Sequence, residues 1–206
     1  MRQDVGKQYG NSMEKRKCRD TGDIMCEKLK ELNGKTPEYF LSQTKQNDNI
    51  VVDIEKIIQS FGIRLLARTF QDIEEIEKED VAGLVLLNGD DVGIFYDSEA
   101  PLARQRFIVA HELGHCCLHG DSLKAGYIEF LHKNGFEDSH ESEASEFAAN
   151  LLIQKKSLLL IYQQLIFPTV DTLADIFGVP EHLMKFRLEK LGIKYYERKG
   201  NRFVES

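Results

Sequence analysis

Near its middle the sequence reads Phe107-Ile-Val-Ala-His111-Glu112-Leu-Gly-His115, an apolar helical run that carries the pattern His-Glu-x-x-His. Residues four apart lie on the same face of a helix, so His111 and His115 can both offer an imidazole nitrogen to one cation. Glu112 lies one residue further along, where it can hold the attacking water without binding the cation itself. The pattern therefore predicts the site of a zinc hydrolase, with Glu112 as the catalytic residue.

The alternative interpretation is an amphipathic helix with two histidines on the protein surface. Residues 106–110, which precede the motif, are mostly apolar and predict a buried helix instead. Burying two histidines and a glutamate costs several kcal/mol unless they are satisfied, and a metal ion satisfies them. Gly114 lowers helix propensity by about 1 kcal/mol relative to alanine. We therefore expect another element, or the substrate, to approach the helix closely at Gly114.

Composition and charge limit the class of protein. The chain has 206 residues, of which 42% are hydrophobic, enough for one domain with an extension or for two small domains. The formal net charge is −7; residues 1–20 and 181–206 each carry +3, which leaves −13 on residues 21–180. This acidic middle disfavours general binding to nucleic acids and favours attraction of a divalent cation.

The compartment is predicted from the termini and the cysteines. The N-terminus lacks the apolar segment of a signal peptide, and the apolar region 158–167 is interrupted by Gln163-Gln164 and is too short to cross a bilayer. We therefore predict a cytoplasmic protein with reduced thiols and no membrane partner. A helix turns the adjacent cysteines 116 and 117 away from the predicted ligands, so packing is their expected role. The four cysteines suggest no disulfide framework: Cys18, Cys26, Cys116 and Cys117.

Hydrophobic spacing and turn residues divide the chain into elements. The predicted helices cover 22–33, 51–61, 102–119, 139–154, 170–178 and 181–191, and the predicted strands cover 63–70, 81–87 and 92–97. Asn88-Gly89 indicates a hairpin between the last two strands. One of its strands could bind an extended peptide by strand addition, or the hairpin could be an ordinary part of the core.

Segments between these elements are interpreted as loops. Residues 71–80 are acidic and are predicted to form a loop or a single turn, and 194–203 could form a strand. Residues 120–139 are irregular and polar and are predicted to form the rim of the site. The histidines around this rim are interpreted as solvated rather than as ligands: His119, His132 and His140.

A third protein ligand is needed, because catalytic zinc normally has three, with water in the fourth place. The next predicted helix offers Glu141, Glu143 and Glu146. Glu141 shares a helix face with small residues, which would allow two helices to approach closely and bring its carboxylate to the metal. Glu141 is therefore the predicted ligand, with Glu143 as the alternative. An acidic residue in the first helical turn can also be there only for its favourable interaction with the helix dipole. This is the preferred interpretation of Glu143 and Glu146.

The residues that carry a family resemblance are the run 106–115, then Glu141-x-x-Ala144-x-x-Phe147-Ala-Ala-x-Leu-Leu152, and Leu173-Ala-Asp-Ile-Phe-Gly-Val-Pro180. Together they resemble the ImmA/IrrE family of metallopeptidases over roughly 50–192. The resemblance implies a helix-rich, zincin-like α+β fold and favours Glu141 as the third ligand. It also implies a protein that cleaves a helix-turn-helix repressor and so relieves repression of stress or mobile-element genes. Gln154 departs from the family, which often has proline there.

The predicted organisation is a flexible tail at 1–20, a metallopeptidase domain with a small antiparallel sheet at 21–167, and a helical cap with a tail at 168–206. The cap resembles a helix-turn-helix. Its second helix carries Lys185, Arg187 and Lys190 on one side, which is compatible with DNA binding or with a solvated face. The cap is the preferred interpretation because only one such unit is present and the body is acidic.

The function predicted from these observations is a zinc-dependent endopeptidase that acts on a repressor. The main alternative is a DNA-binding regulator whose metal site is structural or relic, and a second alternative is a zinc hydrolase that acts on a small amide. A further group usually stabilises the oxyanion in such enzymes. The sequence offers four candidates without ranking them: Tyr96, Tyr127, His132 and His140.

Overall fold

The computed structural model describes residues 26–69, 83–88, 91–121, 123, 139–199 and 202–205. These residues form eight helices and five strands, which confirms the predicted helix-rich α+β class. In chain order the elements are α1 (Glu27–Leu32), α2 (Pro37–Gln43), α3 (Ile54–Ser60), β1 (Arg64–Arg68), β2 (Gly83–Asn88), β3 (Asp91–Asp97), α4 (Leu102–Leu118), α5 (Ser139–Leu152), α6 (Lys155–Tyr162), α7 (Val170–Phe177), α8 (Glu181–Leu191), β4 (Tyr196–Lys199) and β5 (Arg202–Glu205).

Short polar residues begin several helices. The side chains of Thr36, Asp53 and Thr169 each accept a hydrogen bond from a backbone N–H in the first turn, at the starts of α2, α3 and α7. Such caps satisfy N–H groups that have no partner inside the helix. Gly178 ends α7 with φ +62°, a left-handed conformation that glycine adopts without steric cost.

The three-stranded sheet has the order β1-β3-β2. Strands β2 and β3 are antiparallel, with Asn88 opposite Asp91, so the predicted hairpin is present. Strand β1 pairs with β3 in parallel, with Leu65 opposite Ile94, so the sheet is mixed rather than antiparallel throughout as predicted. The hairpin signal fixes the direction of β2 against β3 only. The long connection 69–82 allows β1 to join the far side of β3 in parallel, which a tight turn would not.

Helix α4 lies at the centre of the molecule. It packs against β2 and β3 on one side and against α5 on another, and α1 and α3 also contact it. All of its residues from Phe107 to Cys117 are buried. A helix that is buried all round belongs to the interior of a domain, which agrees with the apolar run seen in the sequence. The histidines of the motif therefore lie inside the core.

The C-terminal helices share this core. Helices α7 and α8 pack together, and α8 packs against α5. Arg187 is only 8% exposed, and its Nε donates a hydrogen bond to the carbonyl oxygen of Ile153 at the end of α5, at 3.1 Å. The apolar residues that these two helices bury are Leu173, Ala174, Phe177, Leu183, Met184 and Leu188. The domain boundary predicted at 167/168 stays a prediction, and the predicted tail at 1–20 lies outside the described residues.

Two helices, α2 and α6, were not predicted. Helix α2 begins with Thr36 as its cap and Pro37 in its first turn, a pattern typical of helix starts.

Gln154, where the family often has proline, donates hydrogen bonds from its side-chain amide to the carbonyls of Gln46 and Asn49. This residue therefore ties the end of α5 to the connection after α2, through a side chain that proline lacks.

Other predictions are settled in part. The predicted strand at 194–203 is a hairpin in the structure, because β4 and β5 pair antiparallel. The acidic segment 71–80 and most of the predicted rim at 120–139 lie outside the described residues. In the part of the chain that the structure describes, no helix is long and apolar enough to cross a membrane.

Candidate metal centre

His111 and His115 point their Nε2 atoms at one another across one turn of α4, 2.9 Å apart. Both side chains are essentially inaccessible to solvent. The four-residue spacing places them on one face of the helix, as the sequence predicted. Two buried imidazole nitrogens directed at the same point form half of a tetrahedral metal site.

Glu141 supplies a carboxylate at this point from the first turn of α5. Its Oε2 lies 3.2 Å from His111 Nε2, and its Oε1 lies 3.3 Å from His115 Nε2. Possible ligand atoms of the three residues all lie within 4.8 Å of one another. Among the described residues, this is the cluster of histidine, cysteine and acidic side chains that could hold a metal ion.

The close approach of α4 and α5 depends on Gly114. A side-chain carbon at this position would lie 3.1 Å from the carbonyl oxygen of Ala144 and 3.2 Å from the Cβ of Phe147. The expectation that another element approaches Gly114 is therefore confirmed, and the element is α5. Because Gly114 and Ala144 are both small, α4 and α5 approach closely enough for Glu141 to reach His111 and His115.

The other ring nitrogen of each histidine also has a partner. His111 Nδ1 lies 3.2 Å from the hydroxyl oxygen of Ser145, and His115 Nδ1 lies 3.2 Å from Nδ1 of His119. A histidine that binds a metal through Nε2 usually places its Nδ1 against a second group, which fixes the ring and the tautomer. The donor set and its supporting contacts therefore fit a divalent metal of the zinc type.

The electrostatics of the cluster favour the ligand forms. Burial lowers the pKa of His111 to about 4, so its imidazole is neutral at pH 7. Burial would raise the pKa of Glu141, but hydrogen bonds with His111 and His115 outweigh this effect and lower the pKa to about 2. A neutral imidazole and an ionised carboxylate are the states that metal binding requires.

Glu112 lies against the start of strand β2. Its side chain is buried, and a side-chain carbon at Gly83 would lie 2.8 Å from Glu112 Oε1 and would collide with Ile108 Cγ2. Glycine is therefore the residue that lets the strand come this close to the helix. The arrangement places the backbone of β2 beside the predicted catalytic carboxylate.

The two other glutamates of α5 make different contacts. Glu143 is 60% exposed at its side chain, and its Oε2 lies 3.0 Å from His119 Nε2. Glu146 accepts a hydrogen bond from Lys190 Nζ at 2.9 Å. Neither belongs to the candidate metal cluster of the described residues.

His119 was interpreted as a solvated loop histidine, and this is wrong. It is 6% exposed and lies at the C-terminal end of α4, in contact with His115 and Glu143. The spacing His111, His115, His119 continues the same helix face by one more turn, a pattern that could have indicated this contact. His140 is exposed, as predicted, and stacks on His119 with ring centroids 4.2 Å apart. His132 lies outside the described residues.

Tyr96 does not lie at the cluster. It lines a small cavity with Gln105 and Val109, and Val109 points roughly opposite to His111 because two residues span about 200° of a helix. Tyr96 is therefore removed from the candidates for oxyanion stabilisation, and Tyr127 lies outside the described residues.

Cys116 and Cys117 are fully buried in the core, where burial raises the pKa of Cys117 to about 12.

Residues 58–189 match the family model Peptidase_M78, described as the IrrE N-terminal-like domain. The match begins in α3 and ends in α8, so it includes both helices that carry the candidate metal ligands. The resemblance seen in the sequence is thereby confirmed, and the helix-rich structure with its small sheet agrees with a zincin-like α+β domain. No curated protein sequence matches the chain.

Proposed function

Because the chain belongs to the IrrE N-terminal-like family of metallopeptidases, we propose that it is a zinc-dependent endopeptidase that cleaves a helix-turn-helix transcriptional repressor. Cleavage would relieve repression of stress or mobile-element genes, and the enzyme would act in the cytoplasm. The observation that carries the enzymatic part is the convergence of His111, His115 and Glu141 beside the buried carboxylate of Glu112. The repressor as substrate rests on the family resemblance.

Each residue of the site has a role in the proposed reaction. His111, His115 and Glu141 would hold zinc, which when bound polarises the scissile carbonyl and acidifies the attacking water. Glu112 accepts the proton of that water during attack and delivers it to the leaving amine. The buried position of Glu112 keeps bulk water away from this proton transfer. Among the described candidates for oxyanion stabilisation, His140 remains, through its place beside His119.

The position of β2 supports a protein substrate bound in extended form. Gly83 lies against Glu112, and β2 is at an edge of the sheet formed by the described strands. An extended peptide that paired with β2 would therefore pass the catalytic carboxylate. A linker that is extended or locally unfolded in the repressor meets this requirement, whereas an intact helix would keep its backbone inaccessible.

The rival interpretation, a DNA-binding regulator, depends on the basic side of α8. Arg187 of this side is buried, which removes it from any contact with DNA. Lys190 bonds to Glu146, and Lys185 lies 3.9 Å from Glu197. Exposed ion pairs are weak and would not by themselves prevent DNA binding. The burial of Arg187 is therefore the observation that favours a packed cap over a recognition helix.

The test uses purified, zinc-loaded protein and purified helix-turn-helix repressors, beginning with any that is found to be encoded beside its gene. Mass spectrometry of the reaction should show cleavage at one or a few bonds, and Glu112→Gln protein should leave the repressor intact. Short amides serve as the second substrate class. Cleavage of amides but not of any repressor would replace the proposal with a small-amide hydrolase. A gel shift with operator and random DNA, positive without cleavage, would support the regulator instead.

A further inference from the structure

We infer that His119 is a positioning residue. A chain of hydrogen bonds from His115 through His119 to Glu143 holds His115 in the tautomer that a metal ligand needs. The inference rests on the proposed metal site. It stands on two distances: 3.2 Å between Nδ1 of His115 and Nδ1 of His119, and 3.0 Å between Nε2 of His119 and Oε2 of Glu143.

The chemistry of the three groups fixes where the protons lie. An ionised carboxylate can only accept hydrogen bonds, so Nε2 of His119 carries a proton and donates a hydrogen bond to Glu143. In a neutral imidazole the other nitrogen is then an acceptor, so Nδ1 of His119 accepts from His115. Nδ1 of His115 therefore carries its proton, and Nε2 of His115 keeps the lone pair that faces His111 and Glu141.

The direction of these hydrogen bonds decides whether His115 can bind a metal. If the chain ran the other way, Nδ1 of His119 would donate to His115 and the proton of His115 would lie on Nε2, where the metal must bind. Glu143, at the far end, prevents this reversal because it cannot donate. At His111 the partner is the hydroxyl of Ser145, which can donate or accept and therefore imposes no direction.

Packing holds the ring of His119 in place. The residue closes α4, with its backbone N–H bonded to the carbonyl of His115 at 2.9 Å. Its ring is buried and stacks on His140, with ring planes 28° apart. Helix α5 thus supplies both the proposed ligand Glu141 and the end of the chain at Glu143. Loss of such a supporting partner typically weakens metal affinity about ten- to hundredfold.

The test compares two substitutions that separate hydrogen bonding from packing. His119→Asn keeps an acceptor oxygen near the position of Nδ1 but removes the ring, and His119→Phe keeps a ring of similar size but cannot accept. Zinc affinity is measured by competition with a chromogenic chelator, and a cooperative melt shows that each variant is folded. We expect affinity close to the parent for His119→Asn and a ten- to hundredfold loss for His119→Phe.

A packing role predicts the reverse order, so equal losses, equal retention or better binding by His119→Phe would each overturn the inference. His115→Ala is measured alongside. If that variant binds zinc as the parent does, the metal site itself is wrongly assigned. If His115→Ala loses zinc but His119→Phe does not, only the positioning role fails.

A second measurement needs no substitution. Long-range proton–nitrogen NMR spectra of the zinc-loaded, nitrogen-labelled protein report which ring nitrogen of each histidine carries a proton. We expect His119 to be protonated at Nε2 and His115 at Nδ1. Protonation of His119 at Nδ1 alone would overturn the inference, whatever the behaviour of the variants.

Discussion

Gly114 and Ala144 mark the point where the two helices of the metal centre touch. A side-chain carbon on Gly114 would lie 3.1 Å from the carbonyl oxygen of Ala144 and 3.2 Å from its Cα. Both atoms belong to the backbone of α5, so the neighbour cannot move aside by changing a rotamer. The distance between the helices, and with it the reach of Glu141, is therefore set by the absence of a side chain at Gly114.

The first prediction concerns Gly114→Ala. Alanine would recover about 1 kcal/mol of helix propensity, but overpacking of a tight contact costs about 1–3 kcal/mol. We expect no gain in the free energy of unfolding, and a loss of zinc affinity because α5 carries Glu141 away from the histidines. Chemical denaturation of the metal-free protein and a chelator competition measure the two effects. A more stable variant with parental zinc affinity would contradict this account of the crossing.

The second prediction distinguishes Glu141 from Glu143. Glu141→Ala should lose bound zinc and proteolysis, because the carboxylate that contacts both motif histidines is gone. Glu143→Ala should still bind one equivalent of zinc, with an affinity about ten- to hundredfold lower, because its carboxylate contacts His119 and is not part of the cluster. Elemental analysis after removal of loosely bound metal measures both. Zinc lost from Glu143→Ala and retained by Glu141→Ala would reverse the assignment of the third ligand.

What the sequence predicts correctly depends on local patterns. The i, i+4 histidines, the Asn-Gly hairpin and the small-residue face of Glu141 are each defined within a few residues. The parallel pairing of β1 with β3 and the burial of His119 depend on contacts between distant segments. Glu143, which meets His119, lies 24 residues further along the chain. Helix periodicity indicates that His119 continues the ligand face, but only the packing of α5 decides that this turn is buried.

The third prediction uses two glycines of the sheet as a matched pair. Gly83→Ala should destabilise the protein by about 1–3 kcal/mol and reduce proteolysis, because its Cβ would collide with Ile108 and with the carboxylate of Glu112. Gly93→Ala, on the neighbouring strand, should be tolerated, since its nearest contact would be Phe95 Cε2 at 3.4 Å. Thermal melts and cleavage assays measure both variants. Equal effects at the two positions would refute the close contact between β2 and Glu112.

The fourth prediction tests whether α8 is a packed cap. Arg187→Met should lower the free energy of unfolding by about 1–3 kcal/mol, because a buried carbonyl at Ile153 loses its donor. Lys185→Met, on the exposed part of the same helix, is the control and should change stability by less than about 0.5 kcal/mol. Denaturant titrations measure both. If Arg187→Met were as stable as the control, the contact between α8 and α5 would not support the fold.

The fifth prediction isolates the chemistry from metal binding. Glu112→Gln should keep zinc, because the carboxylate is not part of the cluster of three ligands, and the amide fills nearly the same space against Gly83. Proteolysis should fall by about two to four orders of magnitude, because the amide cannot accept the proton of the attacking water. Zinc content and cleavage are measured on the same preparation, with Glu146→Gln as the control that keeps both, because Glu146 lies outside the cluster and contacts Lys190. Since the substitution leaves the ligands in place, rapid cleavage by zinc-loaded Glu112→Gln would require a different general base.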